Sequence, residues 1–286
     1  MPGKIRIFAL RPIMTKVRSM ILSALFVLLA GAAGNPALAG QEVILYSYYL
    51  EAPYITGEKS GLNHDLARYL NEKADGRYQF TVKVLPRKRI DRLIKHGVSM
   101  VLPWATPEWF RNLDGQSGVW SKPYLNGASV IVTNQNDPMV YKGPASVKPR
   151  TVQGVVGYRY PGVDDLVSQG LLRRQNLESY DHVFKLLAAR AGNCTVVSQL
   201  TARYLIKELD LDGKVRLAEG YHSTFKRHFL ILNHSGELTA FLDATIDGMA
   251  SDDAWRKLMR NYGLEELIHR DKADSPKQPA KIAHRF

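Results

Sequence analysis

The sequence predicts an α/β fold built on mostly parallel sheets, on three observations. From Gly40 onward, short apolar runs of β type alternate with stretches of helical period. Two strongly apolar runs, 128–133 (ASVIVT) and 229–232 (FLIL), stand far apart and enclose a second α/β series. No internal repeat interrupts this order. In chain order, 43–48 (VILYSY) reads as the first strand, rich in β-branched and aromatic residues. Residues 61–73 form a helix with Leu62, Leu66, Tyr69 and Leu70 on one face. A strand over 79–85, a short helix over 89–96 stopped by Gly97, and a strand over 100–102 follow. The enclosed series reads strand 152–156, helices 162–168 and 182–189, strand 195–197, helix 200–208 and strand 215–217. Two helices close the chain. The first spans 237–249 with Leu238, Phe241, Leu242 and Ile246 as its apolar stripe. The second starts after Ser251 as N-cap, with Asp252 and Asp253 in the first turn where the helix dipole favours acid, and stops near Tyr262-Gly263. Residues 269–286, charged and carrying two prolines, read as a flexible basic tail.

The 286 residues, 45% hydrophobic and 23% charged, have globular composition, which excludes collagen, coiled coil and wholesale disorder. The single cysteine, Cys194, can form no internal disulfide and no cysteine-based zinc site, so no metal or cofactor is expected. The net charge of +12 is partly a matter of position. Lys4, Arg6, Arg11, Lys16 and Arg18 lie in the first 39 residues, which contain no acid.

That segment reads as a secretory signal. Its basic residues precede an apolar run at 21–33 (ILSALFVLLAGAA), Asn35-Pro36 breaks any helix, and Ala37-Leu38-Ala39 has the small-x-small form of a cleavage site. The run is shorter than the roughly 20 residues a helix needs to cross a bilayer, so no permanent membrane anchor is expected. Cleavage after Ala39 leaves Gly40 rather than a lipid-accepting cysteine at the new terminus. Met1 and Met14 both remain possible starts. The expected location is the periplasm.

The order of motifs resembles the family 3 periplasmic solute-binding proteins, the amino-acid-binding-like group. Ala52-Pro53-Tyr54 resembles its aromatic proline turn, and Gly61-Leu62-Asn63-His64-Asp65-Leu66 its helix start. Thr106-Pro107-Glu108 is similar to its Thr-Pro-Glu turn beside the ligand, and Trp120-Ser121-Lys122-Pro123-Tyr124 to the segment before its first crossing strand. Trp255-Arg256-Lys257-Leu258 through Asn261-Tyr262-Gly263-Leu264 resembles its terminal helix and stop. The resemblance covers nearly all of the chain after residue 39. It implies a two-lobe periplasmic binding protein fold: one lobe from 40–129 plus 228–268, the other from 130–227, two crossing hinge strands, and a ligand held in the cleft as the lobes close.

Departures from that pattern shape the candidate site. The family's Thr-Pro-Glu turn is followed by an arginine that clamps a ligand carboxylate through its planar fork. Trp109 stands there, and Trp104 replaces a serine two positions before Thr106. An indole offers one N–H and a large apolar face, so the two tryptophans are expected to form an aromatic wall. In the second lobe the expected acid is replaced by Ser198 or Gln199. Arg111, Arg87 and Arg89 are the candidate substitutes for the lost guanidinium, although each reads more readily as a solvated surface charge. Tyr46, Tyr48, Tyr49 and Tyr54 cluster after the first strand, where strand alternation sends some to the ligand and others to the core. Thr106 is the carried-over contact, because a hydroxyl and the N–H groups of a helix start can face an anion. Arg159 and Tyr160 fall in the loop that resembles the second lobe's ligand loop. His222 and Arg227 read as hinge polar groups, and Cys194 as a buried small hydrophobe.

The function expected is non-catalytic: a monomeric receptor that captures a small anionic or aromatic solute and presents it to a separate ABC-type permease. The chain has no Gly-x-x-x-x-Gly-Lys-Ser/Thr motif of its own. An input protein for a membrane sensor would use the same cleft. An exported dehydratase-like enzyme would need a poised acid or base, for which Glu51, Glu108, Glu219 and His222 are the candidates. The basic residues are dispersed, and nucleic acid is not an expected partner.

Overall fold

The computed structural model describes residue 3 and residues 40–111, 113 and 115–268. The expected leader, its cleavage after Ala39 and the tail at 269–286 lie outside the described residues.

Two sheets share one long strand. The first sheet is built from β1 (Gln41–Ser47), β2 (Tyr78–Val84), β3 (Met100–Ala105), β4 (Gly118–Trp120) and the second half of β10 (Ser223–Leu232). The other contains β5 (Leu125–Asn134), β6 (Thr151–Val155), β7 (Arg173–Leu177), β8 (Cys194–Ser198), β9 (Val215–Leu217) and the first half of β10. Strand order is β2-β1-β3-β10-β5-β8-β6-β7, with β4 beside β10 and β9 beside β5. The changeover on β10 is sharp: Arg227 pairs with Leu125 of β5, and His228 pairs with Ala105 of β3. The β1–β2, β1–β3, β6–β7 and β6–β8 pairs are parallel, as expected. Around the hinge the pairs β3–β10, β4–β10, β5–β10, β5–β8 and β5–β9 are antiparallel. A strand crossing between lobes must return, and its partner runs the other way.

Each sheet is covered on both faces. In the first, alternation along β1 sends Val43 and Leu45 toward helices α1 (Leu62–Ala74), α6 (Gly236–Met249) and α7 (Asp253–Asn261), and Tyr46 toward α2 (Arg87–Lys95). In the second, Val130 and Val132 face α4 (Tyr180–Ala188) and α5 (Gln199–Glu208), while Ile131 faces α3 (Val163–Ser168). Cys194 is buried in that last cluster, and burial pushes its thiol up to about 12.

Two strands escape the apolar pattern. β7 (RRQNL) is largely exposed and polar because it is an edge strand with one parallel partner. β4 has only three residues. The last helix is capped by Asp252 and not by Ser251: its carboxylate accepts from the Ala254 and Trp255 amides. Finally, the helix expected after Thr106 is a single 3-10 turn, Pro107–Trp109. One turn beginning at a proline presents no row of free N–H groups to an anion.

Candidate functional site

The site grows from the carboxyl end of β1 and the changeover on β10. Gly61 sets its first wall. It has φ 111, and a Cβ there would meet the Tyr54 carbonyl oxygen at 2.6 Å. The chain can therefore press against the Pro53-Tyr54 turn, whose carbonyls accept from the Leu62 and Asn63 amides. Tyr54 is thereby fixed with no exposure. Its ring stacks on Tyr49 at 4.0 Å, and Tyr49 stacks on Tyr48 at 4.5 Å.

A bulge sets the second wall. Between the Ala105–His228 and Leu102–Leu230 pairs, β3 carries one residue more than β10, and Trp104 has φ 59. Its amide donates to the Tyr124 hydroxyl at 2.8 Å, and its carbonyl accepts from Arg227 Nη1 at 2.5 Å. The indole is fully buried and donates to Asn63 Oδ1 at 2.8 Å. Trp104 is thus part of the lobe interior, and of the two indoles expected to form a wall only Trp109 is exposed.

Arg227 occupies the centre. It is 2% exposed, and its guanidinium carbon lies 4.5 Å from the Phe225 ring centre, 4.7 Å from Trp109 and 5.5 Å from Tyr49. Nη1 also donates to the Tyr49 hydroxyl at 2.6 Å. Gly127 makes the seat possible: it lies opposite Phe225, and any Cβ would strike that ring at 2.1 Å. Burial disfavours the charge on Arg227, but the surrounding tyrosines, with the Tyr49 hydroxyl accepting from its Nη1, keep the guanidinium above its ordinary value, and the group stays protonated. Burial raises Tyr48, Tyr54 and Tyr124 well above ordinary phenols, so all remain neutral.

From the other lobe come Tyr158 and Ser198. Burial raises the Glu51 carboxyl, and hydrogen bonding from Tyr158 eases that shift. Ser198, which precedes α5, lies close enough to Tyr54 to ease its shift as well, without forming a bond of normal length. The Tyr54 hydroxyl consequently has no hydrogen-bond partner among the described residues.

The remaining expected residues fall elsewhere. Thr106 is buried, and its hydroxyl donates to the Lys226 carbonyl on β10 at 3.2 Å. Arg87 borders the site, lying 4.0 Å from the Phe110 ring centre while donating to Asp91 and the Trp109 carbonyl. Arg89, Arg111 and Arg159 are exposed. Tyr160 is core to the second lobe: its hydroxyl accepts from the Val155 amide and meets Tyr180, with Arg174 over its ring. Trp104 and Tyr160, expected at the ligand, are thus packed in the interiors of their lobes. Of the acid–base candidates, Glu108 and Glu219 are exposed, and His222 bonds the Tyr141 hydroxyl at 2.7 Å. Sequence reasoning missed Tyr49, Phe225 and Arg227 as a unit. The signal was weak but present: Phe225 and Arg227 alternate along one strand face, opposite Gly127. A separate surface hollow of about 550 Å³ is bordered by Leu50, Ile55, His64 and Val82. Arg227 does not border it, and it brings together no such set of polar groups.

No family model matches the sequence, and no curated protein matches it. Solved structures do. An ancestral arginine-binding protein bound to arginine is 14% identical, with 79% of this chain and 99% of that one covered and a TM-score of 0.57. The L-cystine solute receptor of Neisseria gonorrhoeae in its unliganded open conformation is 15% identical, with 82% and 97% covered and a TM-score of 0.57. A histidine kinase sensor domain with similarity to periplasmic binding proteins is 16% identical, with 79% and 97% covered and a TM-score of 0.55. Given two sheets joined through a shared crossing strand and these likenesses, the chain has the type II two-lobe fold of the periplasmic binding proteins.

Proposed function

We propose that this protein is a periplasmic receptor that captures a small anionic or aromatic solute between its lobes and delivers it to a separate membrane transporter. The observation carrying this reading is a set of incompletely compensated polar groups where the lobes meet. Among the described residues, Arg227 is buried without a carboxylate partner and the Tyr54 hydroxyl has no hydrogen-bond partner, while Glu51 is desolvated despite the hydrogen bonds it accepts. Folding does not leave such groups together without cost, and a ligand that satisfies them recovers it. The stacked tyrosines and Trp109 supply apolar area around them. The leader read in the first 39 residues supports export. Ligand contacts to both lobes would stabilise the closed state.

A thermal-shift screen of the chain from Gly40 onward against a metabolite panel tests this. A binder raises the melting temperature progressively with concentration, by mass action, and is recovered unchanged. Absence of any binder, or turnover of the one found, overturns the reading. One observation favours a sensor role for the same cleft, namely the likeness to a kinase sensor domain at a TM-score of 0.55. Co-purification with a permease or with a sensor kinase separates the two roles.

A further inference from the structure

A guanidinium has five N–H donors, and only those of Nη1 are used by Arg227, on the Tyr49 hydroxyl and the Trp104 carbonyl. Nε and Nη2 have no hydrogen-bond acceptor among the described residues. These two nitrogens form the straight edge of the guanidinium, the edge that matches both oxygens of a carboxylate at once. Three rings hold the group without neutralising it. A cation 2% exposed with no acid beside it lacks its counter-charge.

We infer that Arg227 is the anchor for the anionic group of the ligand, and that this group is a carboxylate gripped by Nε and Nη2. The inference rests on the solute-binding reading of the cleft and names its substrate class. A tetrahedral dianion such as phosphate fits less well. It would call for several convergent donors, whereas Arg87 is committed to Asp91 and the Trp109 carbonyl, and the 3-10 turn after Thr106 offers no amide row. The position also gives the charge a mechanical role. Arg227 is the last β10 residue paired with β5, and the next pairs with β3, so an anion bound there sits at the changeover between lobes. The guanidinium that amino-acid binders place after the Thr-Pro-Glu turn thus comes, in this chain, from the crossing strand and rests on the tryptophan that occupies the old position.

The test uses matched acid and amide probes: benzoate with benzamide, phenylalanine with phenylalaninamide, glutarate with glutaramide, and inorganic phosphate as the tetrahedral anion. Thermal shift and titration calorimetry on the unmutated chain should show at least one acid bound, with its amide weaker by about tenfold or more, the loss expected for charge-assisted hydrogen bonds. Arg227→Lys, which keeps the charge and loses the fork, should weaken that acid about tenfold. Arg227→Met should abolish the preference for acid over amide, and Lys257→Gln, an exposed charge on α7, should change nothing. If Arg227→Met does not fold by circular dichroism, the acid–amide comparison and Arg227→Lys still decide. Equal binding of acid and amide, tighter binding of phosphate than of every carboxylate, or unchanged binding in Arg227→Lys overturns the assignment. Binding of amides without acids defeats the carboxylate but leaves the solute reading standing. No stabilisation by any probe or by the metabolite panel defeats both.

Discussion

Trp109 shows how one side chain redirects a site. It is 39% exposed, yet one face is covered by Phe225 at 4.9 Å between ring centres and by the Arg227 guanidinium. Restoring the arginine of the resembled family, Trp109→Arg, would place a second cation against Arg227 and remove the ring beneath it. Lost cation–π attraction of about 0.5–2 kcal/mol, with like-charge repulsion added, predicts a net destabilisation of about 1–2 kcal/mol. Urea denaturation measures it; an unchanged midpoint would mean that the ring contributes nothing to holding Arg227. Neighbours of Arg227 came from far along the chain, Tyr49 at 178 residues and Trp104 at 123. No local pattern announces such a meeting, which is why Arg227 reads from sequence as a hinge charge, whereas Tyr54 and Trp109 are legible from the short motifs that contain them.

Among elements, α7 illustrates a boundary that local propensity leaves ambiguous, because Ser251 and Asp252 are both good caps. Tertiary contacts choose Asp252, whose carboxylate also accepts from the Tyr69 hydroxyl at 3.1 Å and pairs with Lys73. Burial works against that carboxylate, but Lys73 and the Ala254 amide hold it below the ordinary value of 3.8. Its contribution is therefore present above that value and lost as pH falls through the lower folded-state value. Asp252→Ala is expected to destabilise the chain by about 1–2 kcal/mol, the upper range for an N-cap because two helices, α1 and α7, share this one. The loss should shrink on acidification below 3.8. Guanidinium denaturation at neutral and acid pH checks both parts, and a loss that stays constant with pH would contradict the assignment of the charge. Strand β7 makes the opposite point. Its five residues carry no apolar alternation, since an edge strand needs only one partner's hydrogen bonds and buries little.

At the scale of the molecule, the lobes meet through two kinds of contact. Away from Arg227, Leu200 of α5 joins the first lobe's core, Arg203 pairs with Glu266, and Lys207 donates to the Asn261 carbonyl. Across the cleft, Glu51 meets Tyr158. The two lobes thus stay joined along α5 while the cleft contact is the costly one. Burial raises Glu51, so the folded state favours the protonated carboxyl. Stability from this group is present below the ordinary value of 4.5 and declines as pH rises through the elevated folded-state value. Glu51→Gln, neutral at every pH, should therefore raise the melting temperature of the ligand-free protein at neutral pH and flatten its decline from pH 4.5 upward. Melting curves across that range check it. A decline as steep as that of the unmutated chain would show that Glu51 is not desolvated between the lobes.

What the sequence by itself determined is the architecture: alternating strands and helices in two series, the apolar strands at 128–133 and 229–232, which the structure extends to Leu125–Asn134 and Ser223–Leu232, and the turn that carries Thr106 and Trp109. These are legible because hydrophobic period and turn chemistry act over a few residues. Only the tertiary structure decided which aromatic groups face a charge and which face the core. Trp104 and Trp109 sit five positions apart, one sealed beneath a bulge and one lying against Arg227. Burial is a property of what arrives from elsewhere in the chain, and a cation without an acid beside it can be recognised only when all of its neighbours are in place.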